Sequence, residues 1–531
     1  MKIHPLMSFF ILSLFASLTY VQLQASVCAG YEIIRVPSDY PIIQEAIDMA
    51  SPESTILVSS GIYHEHLVVN KPLTLIGQDK ATTIVDGNGT GGWRCEDSVI
   101  CVTVDGVTID GFTIRNSGGS GYWSFVSGIC LASNSNRVMG NIISNNNYGV
   151  IIGTPYHKGS RKNTITDNII QSNNYGIFAY QGGNNTIVDN SVLDNCLNGI
   201  WFVGLDVNNT NTLKDNIVSN SSCGICLSGF VILGSATVNT RHNTLQGSSE
   251  FSPSPLSNNT ISGNNVIGNE YGVHVEYVGG NEIDNNVITS NNHGVNLDES
   301  SNNTIIGNTI SGNELGINLP SSSNNTIFCN NFVENTQQLG NSSTTNIWDN
   351  GAEGNYWSDY TGLDDGNDGR AAGDGVGDTK LPHLGVDYYP LIIPWGPVPV
   401  VWGYAAYPVT LRSNSTVSAF RFIQSEKEIA FTVTGPSDTV GYCNMIIPKT
   451  LLRDNPWKIL LNNTDIAPQA IITENQTHTS IYFIYNHGTY NIQITGTWVI
   501  PEFPSATILP LLILLSLILL ITTKRKFALY Q

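Results

Sequence analysis

Residues 302–331 read NNTIIGNTISGNELGINLPSSSNNTIFCNN, and the stretch begins again before it ends: Asn302-Asn303-Thr304-Ile305 returns 22 residues later as Asn324-Asn325-Thr326-Ile327. Moving outward, a glycine followed by an apolar residue recurs at Gly149, Gly176, Gly199, Gly224, Gly272, Gly294 and Gly316, at intervals of 27, 23, 25, 48, 22 and 22. The interval of 48 reads as two turns, one of them carrying an insertion. An asparagine track runs in step through Asn168, Asn190, Asn216, Asn264, Asn286, Asn308 and Asn330, and a second through Asn269, Asn291, Asn313 and Asn335.

Short alternating apolar runs such as GINL and NTII, separated by Asn, Gly and Ser at a period in the low twenties, are the pattern of a solenoid of short strands. Asn and Gly at this density, without a 3.6-residue spacing, exclude a helical repeat. Each turn then rises by about 4.8 Å, one strand spacing. Strands of successive turns are parallel, and the crossover rule makes the winding right-handed. Asparagine suits such corners because it tolerates left-handed backbone angles and its amide can bond to the amide one turn above. The apolar partners Ile177, Ile200, Ile225, Val273, Val295 and Ile317 should point inward.

These repeats resemble the parallel β-helix repeats of the pectin-lyase-like fold, in the group named after the copper-related periplasmic protein NosD. The segment VPSDYPIIQEAIDMASPESTILVSSGIYHEHLVVNKPLTLIGQDKATTIVDG, residues 36–87, is similar to the opening of such proteins. The resemblance covers roughly Val36 to Pro390. It implies a right-handed parallel β-helix with a short helix capping its first coil, as an open solenoid end would otherwise expose core. The fold hosts lyases, hydrolases, epimerases and binding modules, so it leaves function open.

The rest of the chain frames that solenoid. It has 531 residues, a net charge of −19 and a charged fraction of only 12 %; the acidic balance argues against nucleic acid as a partner. One lysine and then LMSFFILSLFASLTYVQLQ read as a secretory signal over residues 1–29, with cleavage fitting after Ala25 or after Ala29; the latter leaves eight cysteines. Residues 31–397 are assigned to the β-helix, with an acidic terminal loop at 354–391. Residues 398–498, with runs such as SAFRFIQ and TSIYFIYNHG, read as a small antiparallel β-sandwich stalk. In the terminal segment, 499–531, ATILPLLILLSLILLITT at 506–523 is long enough to span a bilayer, and Lys524, Arg525 and Lys526 place the tail inside. PEFP at 501–504 resembles the PEF-type sorting signals of archaeal surface proteins, which implies re-anchoring at the membrane. Sequons at Asn414, Asn462 and Asn475 fall outside the repeats and are glycosylation candidates.

Several stretches carry side chains suited to chemistry. In the loop 354–391, Asp364, Asp365, Asn367, Asp368, Asp374 and Asp378 alternate with glycine and offer hard oxygen ligands on a pliant backbone, the chemistry of calcium, although RAAG at 370–373 interrupts them. Tyr356, Trp357 and Tyr360 are expected to pack over the last coil. Copper needs soft or imidazole ligands, and the histidines, His64 and His66 included, are scattered. CGIC at 223–226 falls in a coil strand and reads as a disulfide or as packing. Asp105 and Asp110 read as turn residues, and Lys214 and Arg241 are the obvious cations of the repeat region. Strand alternation sends Phe178, Tyr180 and Trp201 to one outer face on adjacent coils. With Tyr122 and Trp123 they form a candidate stacking platform for sugar rings, unless the loops at 153–163 and 229–258 cover them. The resulting expectation is a membrane-anchored protein at the cell surface that binds polysaccharide or envelope glycan. The alternative is a carbohydrate-active lyase, hydrolase or epimerase, and a third reading is a copper-related role. Two carboxylates brought close together in a cleft would favour the enzyme.

Overall fold

The computed structural model describes residues 32–119, 124–154, 159–204, 210–229, 237–239, 244–246, 257–453 and 455–501. The secretory leader, Tyr122, Trp123, Arg241 and the apolar segment 506–523 lie outside these residues. The parallel part comprises three sheets of 12, 11 and 12 strands, a solenoid of about twelve coils of the right-handed type. Two compact units divide the chain, residues 1–169 and 170–531.

In the first unit the helix Ile43–Met49 turns Ile43, Ala46 and Ile47 into the core. Both carboxylate oxygens of Glu65 accept from the first helical amides, Ile43 N and Gln44 N at 2.9 Å, satisfying donors that a helix start leaves open. Thr55, Thr74, Thr108, Arg137 and Thr164 stand in register on successive parallel strands of one sheet.

In the second unit each coil contributes one strand to each sheet, as in Thr304–Ile306, Thr309–Ser311 and Leu315–Asn318. Thr304 pairs with Thr326, Thr309 with Asn331 and Leu315 with Gln337, the repeat of 22 seen in the sequence. The expected inward column is present: Ile177, Ile200, Ile225, Val273, Val295 and Ile317 are register partners and are fully buried. One expectation is corrected. Ile225 pairs directly with Val273, so the interval of 48 is a single coil. The extra residues form an insertion after the strand Cys223–Ser228, and it contains the antiparallel pair Thr237–Asn239 and Thr244–Gln246.

The asparagine tracks are hydrogen-bonded ladders. Asn264 donates both its backbone N–H and its side-chain Nδ2 to Asn286 Oδ1 at 2.9 Å, and Asn286 repeats this to Asn308 Oδ1 at 2.9 Å. The second amide hydrogen of Asn286 reaches Ile261 O at 2.8 Å. A third ladder, absent from the sequence reading, runs through Asn185, Asn211, Asn259, Asn281, Asn303, Asn325 and Asn346. Along the first ladder the left-handed backbone belongs to the residue before the asparagine: Asp215, Gly263, Asn285, Gly307 and Cys329 precede Asn216, Asn264, Asn286, Asn308 and Asn330, all with positive φ. The repeating glycines have a steric origin. A Cβ on Gly272 would lie 2.6 Å from Gly294 O and 2.8 Å from the side chain of Ile288.

The solenoid ends on aromatic rings: Trp357 stacks on Phe332 at 4.3 Å, and Tyr356, Trp357 and Tyr360 are buried as expected. Asp387 fixes this end, accepting from Trp357 Nε1 at 2.8 Å, Asn355 N at 2.8 Å and Tyr389 N at 3.0 Å. From Val398 onward the strands are antiparallel. One five-stranded sheet runs Val398–Trp402, Ala405–Ser413, Val440–Pro448, His478–Asn486, Ile471–Glu474; the other runs Thr416–Ile423, Glu428–Thr434, Thr489–Thr495, Lys458–Leu461, Thr464–Asp465. Val409, Phe431, Met445, Ile481 and Ile492 belong to the core they share. Among the described residues no helix is long and apolar enough to cross a membrane.

The ladder makes a quantitative prediction. Asn286→Ala strips partners from Asn264 N and Ile261 O, and should lower stability by about 2–4 kcal/mol, since each buried group left unsatisfied costs about 1–3 kcal/mol. Asn285→Gly, at the exposed left-handed position, should change it by less than about 1 kcal/mol. Urea unfolding followed by circular dichroism distinguishes the two.

Candidate functional site

Because coils superpose, outward-facing residues on the 11-stranded sheet fall into columns. One column is Phe178, Trp201, Cys226, His274, Asn296 and Asn318. The next outward position holds Tyr180, Val203, Ser228, Glu276 and Asp298, and the preceding one Asn198, Cys223, Tyr271, His293 and Leu315.

The sequence-predicted aromatics face outward but are covered: Phe178, Tyr180 and Trp201 are only 0, 1 and 7 % exposed. Trp201 packs edge-on to Phe178 at 5.3 Å and stacks on Tyr175 at 5.8 Å. As they lie, none of the three presents a ring face to solvent. Further along the same face, the half-buried Tyr271 stacks on His274 at 5.0 Å and on His293 at 4.7 Å. A groove beside them is lined by Asn198, Trp201, Cys226, Leu227, Ser228, His274 and Glu276.

The electrostatics of this groove are unusual. His274 Nε2 and His293 Nδ1 are buried without a hydrogen-bond partner among the described residues. Burial, aided by His293, lowers the His274 pKa to about 4, so its imidazole is neutral at pH 7. Burial, reinforced by Asp298 and Glu299, raises Glu276 to about 8, so that its carboxyl keeps its proton at neutral pH. Asp298 is pushed up by burial and by Glu299, and Tyr271 by burial and then by Glu270, Asp298 and Glu276. Glu276 and Asp298 are register partners on neighbouring coils. The arrangement therefore offers a neutral imidazole and a protonated carboxyl beside a second carboxyl.

Sequence reasoning missed His274, Glu276, His293 and Asp298. The signal was present: aligning YGVHVE with NGIWFV puts His274 under Trp201, but reading 48 residues as two turns broke that column.

The other candidates sit elsewhere. Cys223 and Cys226 are joined in a disulfide, one of the two readings of CGIC. In the acidic loop the carboxylates bind backbone: Asp364 accepts from Gly373 N and Gly375 N, Asp378 from Gly366 N, Asp365 from Asn367 N and Asp374 from Val376 N. Asn367 and Asp368 lie in a single turn, Asn367–Gly369, and the interrupting Arg370 covers the Tyr389 ring at 4.8 Å. Asp105 accepts from Asn134 N at 2.7 Å, a turn role, and Lys214 pairs with Asp215 at 3.6 Å. His64 is exposed, whereas His66 contacts Ser98 O and Gly87 O through its two ring nitrogens.

Three parallel sheets with stacked asparagine corners define a parallel β-helix. Residues 47–230 and 203–362 match the family described as periplasmic copper-binding protein (NosD), over more than half of the chain. The chain belongs to the NosD family. No curated protein matches it in sequence. Among solved structures it is similar to the Dettilon tailspike protein, at 13 % identity and a TM-score of 0.43, covering 87 % of this chain and 94 % of that one. It is also similar to the A-module of the Azotobacter vinelandii mannuronan C-5 epimerase, at 15 % identity and 0.35, covering 57 % and 94 %. For the GH136 lacto-N-biosidase of Eubacterium ramulus the values are 12 % identity, 0.41, and coverage of 57 % and 63 %. Likeness at this level speaks to neither substrate nor chemistry.

The family description raises the question of copper. Cys95 and Cys130 are bonded to each other, as are Cys223 and Cys226, and Met445 is buried in the antiparallel core. Among the described residues no three His, Cys, Asp or Glu side chains are placed to hold a metal ion. The soft ligands present therefore do not fit a copper centre as they stand.

The two shifted groups have opposite linkage to stability. Glu276, raised from 4.5 to about 8, contributes stability that is lost as pH rises through that window. His274, lowered from 6.5 to about 4, contributes stability that is lost as pH falls through its own. Their effects oppose each other below pH 6.5. From pH 6.5 to about 8 only the loss from Glu276 remains of the two. Calorimetric melting of wild type and Glu276→Gln should give a Tm difference that grows in favour of the variant across that upper window. A constant difference would contradict the raised carboxyl.

Proposed function

We propose that this chain is an extracytoplasmic NosD-family β-helix that binds carbohydrate at the cell envelope along the outer face of its 11-stranded sheet. The apolar segment 506–523 tethers it to the membrane. The observation that carries the reading is the groove of Asn198, Trp201, Ser228, His274 and Glu276, whose hydrogen-bonding groups stand beside the half-buried ring of Tyr271 stacked on His274. Sugars have the same duality, with apolar ring faces and hydroxyl edges. Phe178, Tyr180 and Trp201 then act as packed support for the groove and Tyr271 as its accessible ring, with Tyr122 and Trp123 as further candidates.

A glycan array probed with the full chain tests this reading. Wild type should bind a defined glycan set. Tyr271→Ala should weaken binding by roughly tenfold, the scale of one lost aromatic contact, and Trp201→Ala should weaken it as well by removing the packing beneath the groove. Failure of the wild-type chain to bind any glycan overturns the reading.

The pairing of Glu276 with Asp298 favours a second reading, hydrolysis of the bound glycan. Neighbouring strand positions lie about 4.8 Å apart, close to the roughly 5–5.5 Å between the carboxyls of retaining glycosidases. A protonated Glu276 would supply the general acid and Asp298 the second carboxylate. Incubation with a bound polysaccharide should then release reducing ends, with Glu276→Gln retaining binding but losing about 100-fold or more of the rate. Binding without new reducing ends leaves the first reading standing and removes the second.

A further inference from the structure

In the first unit three cysteine sulfurs meet. Cys101, on the strand Ile100–Val102, is the register partner of Cys130 on the parallel strand Ser127–Leu131. The single helical turn Cys95–Asp97 packs against both strands. Cys95 is bonded to Cys130, and the free thiol of Cys101 lies 3.4 Å from the same Cys95 sulfur. All three are buried, with exposures of 3 % for Cys95 and 0 % for Cys101 and Cys130.

A disulfide with a third sulfur in van der Waals contact is the arrangement that thiol–disulfide exchange requires, since the reaction proceeds by attack of a thiolate on one sulfur of the pair. We infer that Cys95, Cys101 and Cys130 form an internal exchange site in which the partner of Cys95 alternates between Cys130 and Cys101. Cys101 gives up its proton and its Sγ attacks Cys95 Sγ. The Cys95–Cys101 bond forms as the Cys95–Cys130 bond breaks, and Cys130 leaves as the thiolate and takes up a proton. One disulfide and one thiol stand on each side of the step, so no oxidant or reductant is consumed.

The two pairings differ in what they tie. Cys95–Cys130 spans 35 residues and fastens the helical turn to a strand of the following coil. Cys95–Cys101 spans six residues, by their positions, and ties the turn only to its own coil, releasing the thiol of Cys130. The site is a two-position latch on the outer face of the 11-stranded sheet. Its rate is held down by its surroundings: burial, then the carboxylates of Glu96 and Asp97, push the Cys101 thiol up to about 12. Little thiolate is present at neutral pH, and its fraction rises about tenfold per pH unit.

Peptide mapping of the full oxidised chain tests the site. Samples held at pH 7 and pH 9 are quenched and unfolded in acid, their thiols are labelled with a maleimide, and linked peptides are identified by mass spectrometry. Cys196, Cys329 and Cys443 are also free and label throughout; among the three cysteines of the site, label should begin on Cys101 and then reach Cys130 together with a Cys95–Cys101 linked peptide, about 100-fold faster at pH 9 than at pH 7. Cys101→Ser should abolish label on Cys130 while retaining the Cys95–Cys130 link. Label confined within the site to Cys101 at both pH values overturns the inference, as does Cys130 labelling that persists in Cys101→Ser. Should the variant fail to fold, the Cys95–Cys101 peptide of wild type and its pH dependence decide the matter alone. The glycan reading does not enter either outcome.

Discussion

The constraint on which this architecture depends is the fate of the backbone amides at the coil corners. A solenoid corner turns its chain inward, where water cannot reach the N–H groups, and an unpaired buried donor costs about 1–3 kcal/mol. Asparagine solves this with one side chain: its Oδ1 takes the backbone and side-chain donors of the asparagine one coil earlier, as Asn286 does for Asn264. Its Nδ2 serves the next coil. No apolar residue can do this, and serine does it only in part, as where Ser221 N reaches Asn269 Oδ1 but its own hydroxyl contacts Ser219 O at 3.5 Å. The residue in front must supply the positive φ, which explains why the repeat is written as Asn-Asn, Gly-Asn or Asp-Asn.

Once the corners are pinned, what lies between them is free to vary in length. Asn211, Asn216 and Ser221 reach Asn259, Asn264 and Asn269 across 48 residues with bonds of 2.9–3.0 Å, matching those across 22. The insertion after Ser228 therefore leaves the core untouched, in keeping with the slow growth of loop-closure entropy with length. An outer face interrupted by such loops can acquire walls without any rearrangement of the coils beneath.

How much of this was legible in the sequence follows from the same logic. The inward column Ile177 to Ile317 and two of the three ladders could be written down from spacing, because each position repeats one requirement. The third ladder was just as legible, since Asn185, Asn211, Asn259 and Asn281 are spaced 26, 48 and 22 apart, as Asn190, Asn216, Asn264 and Asn286 of the first ladder are. The groove was harder to read. Outward positions repeat no residue type, and Trp201, Cys226, His274 and Asn296 become a set only when the register is known. Burial was equally hidden, since alternation sends Phe178 outward and says nothing of what covers it.

Stacking also shapes the chemistry. In a parallel β-helix two acidic residues at one register position on consecutive coils have backbones held about one strand spacing apart, which keeps their side chains neighbours. Burial keeps one such carboxyl protonated, and repulsion from its neighbour on the next coil reinforces it; Glu276 beside Asp298 is such a case. The imidazole on the adjacent column responds in the opposite sense, because burial removes the charge from a base as it does from an acid. His274 and Glu276 are thus both neutral for the same physical reason, and a groove rich in ionisable groups carries less charge at pH 7 than its composition implies. That lowers the cost of bringing an uncharged, hydroxyl-bearing ligand against it, while leaving a proton donor and a proton acceptor in place.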